Sequence, residues 1–190
     1  MQTNLSIIAF LALLALLAFR AVTLRRKGIR AIVFGKTDKS DFLLVLLVVW
    51  LVYPALAKVF GLPMWGLLVQ PLWEADAPGW AGLALCVIAL AGFAASLISF
   101  GDSFRVGIDE EKPARLVTTG MFAISRNPVY LCIILFLLGM FLVHRNIVII
   151  VGVIVFLLAV HRQILREEAF LKVHYGSEYE EYCRKTRRYL

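Results

Sequence analysis

Five apolar runs organise the chain: Leu5–Phe19, Phe42–Ala57, Trp80–Phe100, Val129–Val143 and Ile147–Val160. Between them lie polar or charged connections, so the apolar residues are bunched rather than spread over a globular core. A bilayer span needs about 20 residues of helix. The pattern therefore predicts an all-α, polytopic membrane protein of about five transmembrane helices. Only His144-Arg145-Asn146 separates the last two runs, which is too little chain to cross a bilayer. Those two runs are expected to form a tight helical hairpin. Several runs are short for a span, and two explanations stand: snorkelling flanks with local thinning of the bilayer, or a hairpin that helps form a cavity at the interface.

Composition agrees. The chain of 190 residues is 61% hydrophobic and 17% charged, with mean hydropathy +0.83. Ordinary soluble domains are about 45–50% apolar and about 25% charged. The net charge of +7 sits beside the apolar runs and lacks interleaved aromatics, which argues against nucleic acid as a partner. No Lys or Arg precedes the first run, so it is expected to be a retained helix rather than a cleaved signal.

Charge also orients the chain. Arg20, Arg25, Arg26, Lys27, Arg30, Lys36 and Lys39 follow the first run, and Arg105, Lys112, Arg115 and Arg126 follow the third. Arg162, Arg166, Lys172, Arg184, Lys185, Arg187 and Arg188 follow the fifth. Only Lys58 and Arg145 fall on the opposite side, with just Glu74 and Asp76 among the acidic residues. The positive-inside rule then places the N-terminus outside and the C-terminus in the cytosol. The outer loop Gly61–Gly79, with Pro63, Pro71, Pro78, Trp65 and Trp73, reads as structural, its tryptophans at the membrane interface.

Polar chemistry is left two inner segments. In Gly101–Tyr130, Gly107, Pro113 and Gly120 predict an irregular connection. Pro128 suits the first turn of the fourth helix, with Asn127 at or near the N-cap. In Arg162–Leu190, the apolar pattern continues the fifth helix past the membrane, with Gly176 as its stop. Glu167 and Glu168 lie within about two turns of the boundary. Each segment has a plain reading: a helix start with a snorkelling arginine, and a solvated face with Glu168 paired to Lys172 at i,i+4. Tyr179 and Tyr182, at i,i+3, read as an interfacial anchor. Walker, GxSxG, HExxH and Rossmann patterns are missing from the chain. Cys86, Cys132 and Cys183 form no CxxC, and His161 and His174 stand 13 apart, so neither a disulfide framework nor a metal site is expected.

Together the segments say more. Arg126-Asn127-Pro128-Val129-Tyr130 opens an apolar hairpin, and Glu167-Glu168-Ala169-Phe170-Leu171 with Gly176 to Tyr182 follows it. Leu116-Val117-Thr118-Thr119-Gly120 leads in. Over about residues 96–188 this resembles the isoprenylcysteine carboxyl methyltransferase and phospholipid methyltransferase superfamily. The resemblance implies one membrane-embedded domain over residues 1–190, with N-terminal helices in 1–60. It implies S-adenosylmethionine as cofactor and a lipophilic or lipidated acceptor delivered by the bilayer. Leu116, Val117 and Gly120 would lie along the cofactor, Arg126, Asn127, Pro128 and Tyr130 would line its pocket, and Glu167 and Glu168 would hold its polar groups. Many relatives carry His where this chain has Asn127, and Asn cannot titrate near neutral pH. A carboxylate acceptor, oriented by Arg126 or Arg166, needs no base. Lipid amines and thiols stay open as acceptors. Competing classes are a sterol-reductase-like NADPH enzyme, for which the chain is short, and a transport protein, which would carry intramembrane charges.

Overall fold

The computed structural model describes residues 1–29, 49–50, 53, 56–57, 60–64, 66, 70–104 and 115–190. Its elements are α1 (Gln2–Arg26), α2 (Ala77–Phe100), a 3-10 turn (Gly101–Ser103), α3 (Met121–Ile124), α4 (Pro128–His144), α5 (Ile147–Tyr175) and α6 (Ser177–Lys185). The architecture is all-α. Helices α1, α2 with its 3-10 extension, and α5 are long and apolar enough to cross a membrane, while α4 has 17 residues. Most of the run Phe42–Ala57 lies outside the described residues, so the expected count of five is not established.

The short runs have a simple explanation in two cases. Helix α1 continues beyond its apolar run to Arg26 and α5 continues to Tyr175. The run marks what lipid demands, and the helix extends into water on one side. Gly176 ends α5 with φ 53°, a left-handed conformation that glycine adopts without cost. The tight hairpin forms as expected, and Asn146 caps α5 by accepting from Val148 N at 2.7 Å.

Small residues let α2 and α4 approach closely. A side chain on Gly82 would begin 2.5 Å from Gly139 O, and one on Gly139 would begin 2.6 Å from Gly82 O. Lipid tails are as apolar as the side chains they touch, so such van der Waals fit holds membrane helices together where water would otherwise supply the force. Phe93, Cys86 and Ala89 from α2 meet Phe136 and Met140 from α4, with Leu13 and Leu24 of α1 closing the cluster. Helix α5 lays Ile149, Val153, Phe156, Val160 and Ile164 against Leu137 of α4, one residue per turn along a single stripe. Val151, Ile154, Val155 and Leu158 on its other face are exposed, as suits contact with lipid.

The two ends of this bundle differ. At one end, Ser6 Oγ and His144 Nε2 share a 3.0 Å hydrogen bond, and Gln2 donates to Asp76 O at 3.0 Å. Arg145 there donates to Glu74 O at 3.0 Å and Ala75 O at 2.6 Å. Trp73 of this loop packs edge-on against Phe141 at 5.6 Å, so its ring serves the bundle's own packing; Trp65 lies outside the described residues. At the other end, Arg20 donates to Gly101 O and Lys27 pairs with Asp102 at 2.7 Å. The same end carries α3, the start of α4 and everything after the apolar part of α5.

Substituting Gly139→Leu should cost about 1–3 kcal/mol of stability through overpacking, read as a lower thermal midpoint in detergent. Ile154→Leu, on the exposed face, should leave that midpoint unchanged. Equal midpoints for the two variants would show that the close crossing does not hold the bundle.

Candidate active site

The polar end is built around the start of α4. The approach to it includes Leu116 and Val117, which pack with Phe100 on Phe122, Tyr179 and Tyr182. Gly120 turns the chain with φ 63°, and a side chain there would run into Ser99 Oγ. That hydroxyl accepts from Met121 N at 3.1 Å, which fastens α3 to α2. Gly107 and Pro113 of the expected irregular connection lie outside the described residues.

Pro128 occupies the first turn of α4 and Asn127 its N-cap position, as expected, yet the Asn127 side chain does not cap the helix. Its Nδ2 donates instead to Arg188 O at 3.1 Å, and Ser125 Oγ donates to the same carbonyl at 3.2 Å. Arg126 N donates to Arg187 O at 2.9 Å. The chain end thus lies across the Arg126–Tyr130 segment as a strap. Tyr189 pins it to α5, packing on the second core and sharing a 2.5 Å hydrogen bond with His161 Nδ1. Tyr182 Oη donates to Phe122 O at 2.7 Å. Tyr179 and Tyr182 are therefore buried in this end, not spread as an interfacial anchor.

Glu167 and Glu168 are adjacent on α5, so they project about 100° apart. Glu167 Oε1 accepts from Tyr130 Oη at 2.7 Å and from Gln163 Nε2 at 2.9 Å. Arg166 donates to Gln163 Oε1 at 3.3 Å. Glu168 faces two guanidiniums: Arg126 at 3.1 Å and Arg188 at 2.8 Å, with Arg188 Nε also donating at 2.9 Å. The expected Glu168–Lys172 pair does not form. Lys172 pairs with Glu180 at 3.2 Å, because Glu168 points into the protein.

The Arg126–Glu168 contact is close but not aligned. Both side chains are only 12% exposed, yet Arg126 Nε and Glu168 Oε1 are buried without a hydrogen-bond partner, as is Tyr179 Oη. Each such atom costs about 1–3 kcal/mol unless something satisfies it. Burial raises the pKa of Tyr179 and Tyr182 above the usual phenol value, and the nearby Glu168 carboxylate adds to the effect. Both phenols are neutral donors at physiological pH. The hydrogen bond to Glu168 raises the Arg188 pKa in the same way that it strengthens the pair.

The structure thus gathers Arg126, Asn127, Pro128, Tyr130, Arg166, Glu167 and Glu168 at one end, with Leu116, Val117 and Gly120 at its border. It adds Ser125, Gln163, Arg188 and Tyr189, which carried no local signal: a serine, a glutamine and a basic tail are ordinary in such segments. Among the described residues no group of three His, Cys, Asp or Glu could hold a metal ion.

A family model described as phospholipid methyltransferase matches residues 78–178, just over half of the chain. The chain belongs to the phospholipid methyltransferase family. The match begins near the start of α2, earlier than the resemblance in the motifs, and includes both Arg126–Tyr130 and the two glutamates. An uncharacterised protein of Haemophilus influenzae is 42% identical over 62 residues, which is 32% of this chain and 98% of that relative. No solved structure matches the chain significantly. Membership makes this an integral membrane protein of a methyltransferase family, which leaves little room for the reductase or transport readings.

Glu168→Ala should destabilise strongly, by about 3–5 kcal/mol, because it leaves Arg126 buried and uncompensated. Arg188→Ala, at a side chain 36% exposed, should cost no more than about 1 kcal/mol. Thermal unfolding in detergent checks both, and a larger loss for Arg188→Ala would contradict the assigned roles.

Proposed function

We propose that this chain transfers a methyl group from S-adenosylmethionine to a lipophilic acceptor at the cytosolic membrane face, and that the acceptor group is a carboxylate, as in isoprenylcysteine carboxyl O-methylation. The observation that carries the reading is the pair of adjacent glutamates. Each is held against a different residue of the Arg126–Tyr130 segment, in a chain of a methyltransferase family.

S-adenosylmethionine supplies an electrophilic methyl on a sulfonium, together with an adenosine and a zwitterionic amino-acid group. The residues fit such a ligand. Buried and unsatisfied, Arg126 Nε and Glu168 Oε1 offer a donor and an acceptor of opposite charge. Leu116 and Val117 offer an apolar border. Glu167, hydrogen-bonded by Tyr130 and Gln163, offers a carboxylate on the other side of α5.

Displacement at a methyl needs donor and acceptor in line and water kept out. The strap and α6 cover this end, and the networks on Glu167 and Glu168 fix the rotamers around it. The groups at the boundary that could take a proton are already engaged, Glu167 by Tyr130 and Gln163. His161 engages Tyr189, Asn127 is bonded to Arg188 O, and Glu168 faces two arginines. A carboxylate acceptor is already nucleophilic. Arg126 or Arg166 would orient an anionic acceptor, using planar donors that Lys lacks. A lipid amine is the second reading, favoured by the family's description as phospholipid methyltransferase.

Membranes given S-adenosylmethionine labelled on the methyl should yield a lipophilic product whose label leaves as methanol in alkali, since esters hydrolyse and N- or S-methyl groups do not. The rate should stay nearly flat between about pH 6.5 and pH 8.5, because no proton must first leave the acceptor. Alkali-stable label with a rate rising about tenfold per pH unit would assign an amine or thiol instead.

Orientation follows from the same charge bias. Reporter fusions at Arg145 should read outside and at Leu190 inside. The reverse result would put the polar end on the wrong face for a cytosolic cofactor.

A further inference from the structure

Helix α5 has 29 residues, which make about 43 Å of helix. The hydrocarbon core of a bilayer is about 30 Å thick, and the whole bilayer with its headgroups about 40–45 Å. Starting from the hairpin turn, α5 is long enough to cross the hydrocarbon and the headgroup layer beyond it. The part after Val160 lies at the level of that layer.

This part has two distinct faces. Gln163, Ile164, Glu167 and Glu168 turn into the protein. Arg162, Leu165, Ala169 and Val173 turn outward and are exposed, Leu165 at 42% and Val173 at 88%. A single exposed apolar side chain is ordinary. These form a line. Steps of three or four residues carry it back through Leu158, Val155 and Val151, the face already turned to lipid. Arg162 interrupts it at the edge of the apolar run, where its long stem covers apolar surface and its charge reaches the polar layer.

Charge favours an anionic layer. Residues 161–190 carry seven Lys and Arg against five Glu, and two of those, Glu167 and Glu168, face inward. The outward carboxylates lie on α6. Glu180 pairs with Lys172 and Glu181 with Lys185, and Arg162, Arg184 and Arg187 are exposed as well. A second copy of the chain is a poorer occupant. A two-fold axis along this face would set Arg162 against its own counterpart.

We propose that Arg162, Leu165, Ala169 and Val173 form a surface that docks on the headgroup layer of an anionic phospholipid bilayer. The apolar side chains reach between headgroups, and Arg162 meets their phosphates. Glu167 and Glu168, on the opposite face of the same turns, then sit at headgroup depth. The docking does not depend on the reaction proposed above.

The test places a nitroxide on Val173→Cys in the full chain with Cys183→Ser; Cys86 and Cys132 are buried. In vesicles of equal phosphatidylcholine and phosphatidylglycerol, its collisions with oxygen should exceed those with a water-soluble nickel chelate. A label on Leu158→Cys, the lipid reference, should do the same. In phosphatidylcholine alone the excess at Val173 should fall, and Arg162→Gln should lower it in the mixed vesicles only. A Val173 label reached mainly by the chelate in the mixed vesicles would overturn the proposal, because the face would stand in water. A label shielded from both reagents would overturn it in favour of a protein occupant. Equal excess in the two lipids would overturn it as well. Unlabelled protein in detergent supplies a second measurement. Added phosphatidylglycerol should raise the wild-type melting temperature by more than phosphatidylcholine does, and Arg162→Gln should shrink that difference. Equal shifts with the two lipids in wild type would refute an anionic partner.

Discussion

Glu168 sits between two guanidiniums at the polar end of α5, and that arrangement joins three stretches that are distant in sequence. Arg126 comes from the start of α4 and Arg188 from the chain end. Taking such charges out of water is expensive, and their mutual attraction repays it only when every partner is in place. The neutral bonds around them follow. With Arg188 drawn to Glu168, its carbonyl meets Asn127 and Ser125, and the neighbouring Arg187 carbonyl meets Arg126 N. The tail becomes a wall of the site because Glu168, Asn127, Ser125 and His161 hold it there together.

The membrane explains why this happens at one end. Within lipid the backbone must satisfy itself, which helices do, and side chains have little to gain from polar contacts. The bundle is therefore held by fit, with Gly82 and Gly139 in backbone contact, and polar groups are pushed to its ends. The end near His144 is closed by Arg145 and its carbonyl partners. The opposite end holds most of the unsatisfied buried side-chain atoms among the described residues, Trp73 Nε1 being the exception at the closed end, and such atoms are a condition expected of a place that receives a ligand.

Much of this was legible in the sequence, for reasons that differ by element. The helices were readable because lipid imposes long apolar runs. The hairpin was readable because three residues cannot cross a bilayer. Pro128 and Gly176 were readable because each residue type suits the backbone position it occupies. The strap was not. Arg187 and Arg188 contribute to the charge bias whether or not they make contacts, so their counting concealed their geometry. Asn127 was placed at the N-cap by local rules, but a tertiary partner, Arg188 O, took its side chain. Glu168–Lys172 satisfied helix spacing and still failed, since spacing does not say which face a helix buries.

The two glutamates show how adjacency divides labour. One helical step turns them about 100° apart, so they cannot serve the same partner. Glu168 is matched by two cations, which fix its place. Glu167 is met by a phenol, Tyr130, and an amide, Gln163, which fix the direction of its carboxylate. On the S-adenosylmethionine reading, the sulfonium charge disappears as the methyl moves. A carboxylate near it would stabilise the ground state more than the transition state, and so improve affinity without improving rate. The Tyr130 and Gln163 hydrogen bonds soften that effect, since they draw off part of the carboxylate's charge while fixing its direction. The arrangement favours binding and alignment over charge stabilisation, which is what an in-line transfer from an already reactive donor requires.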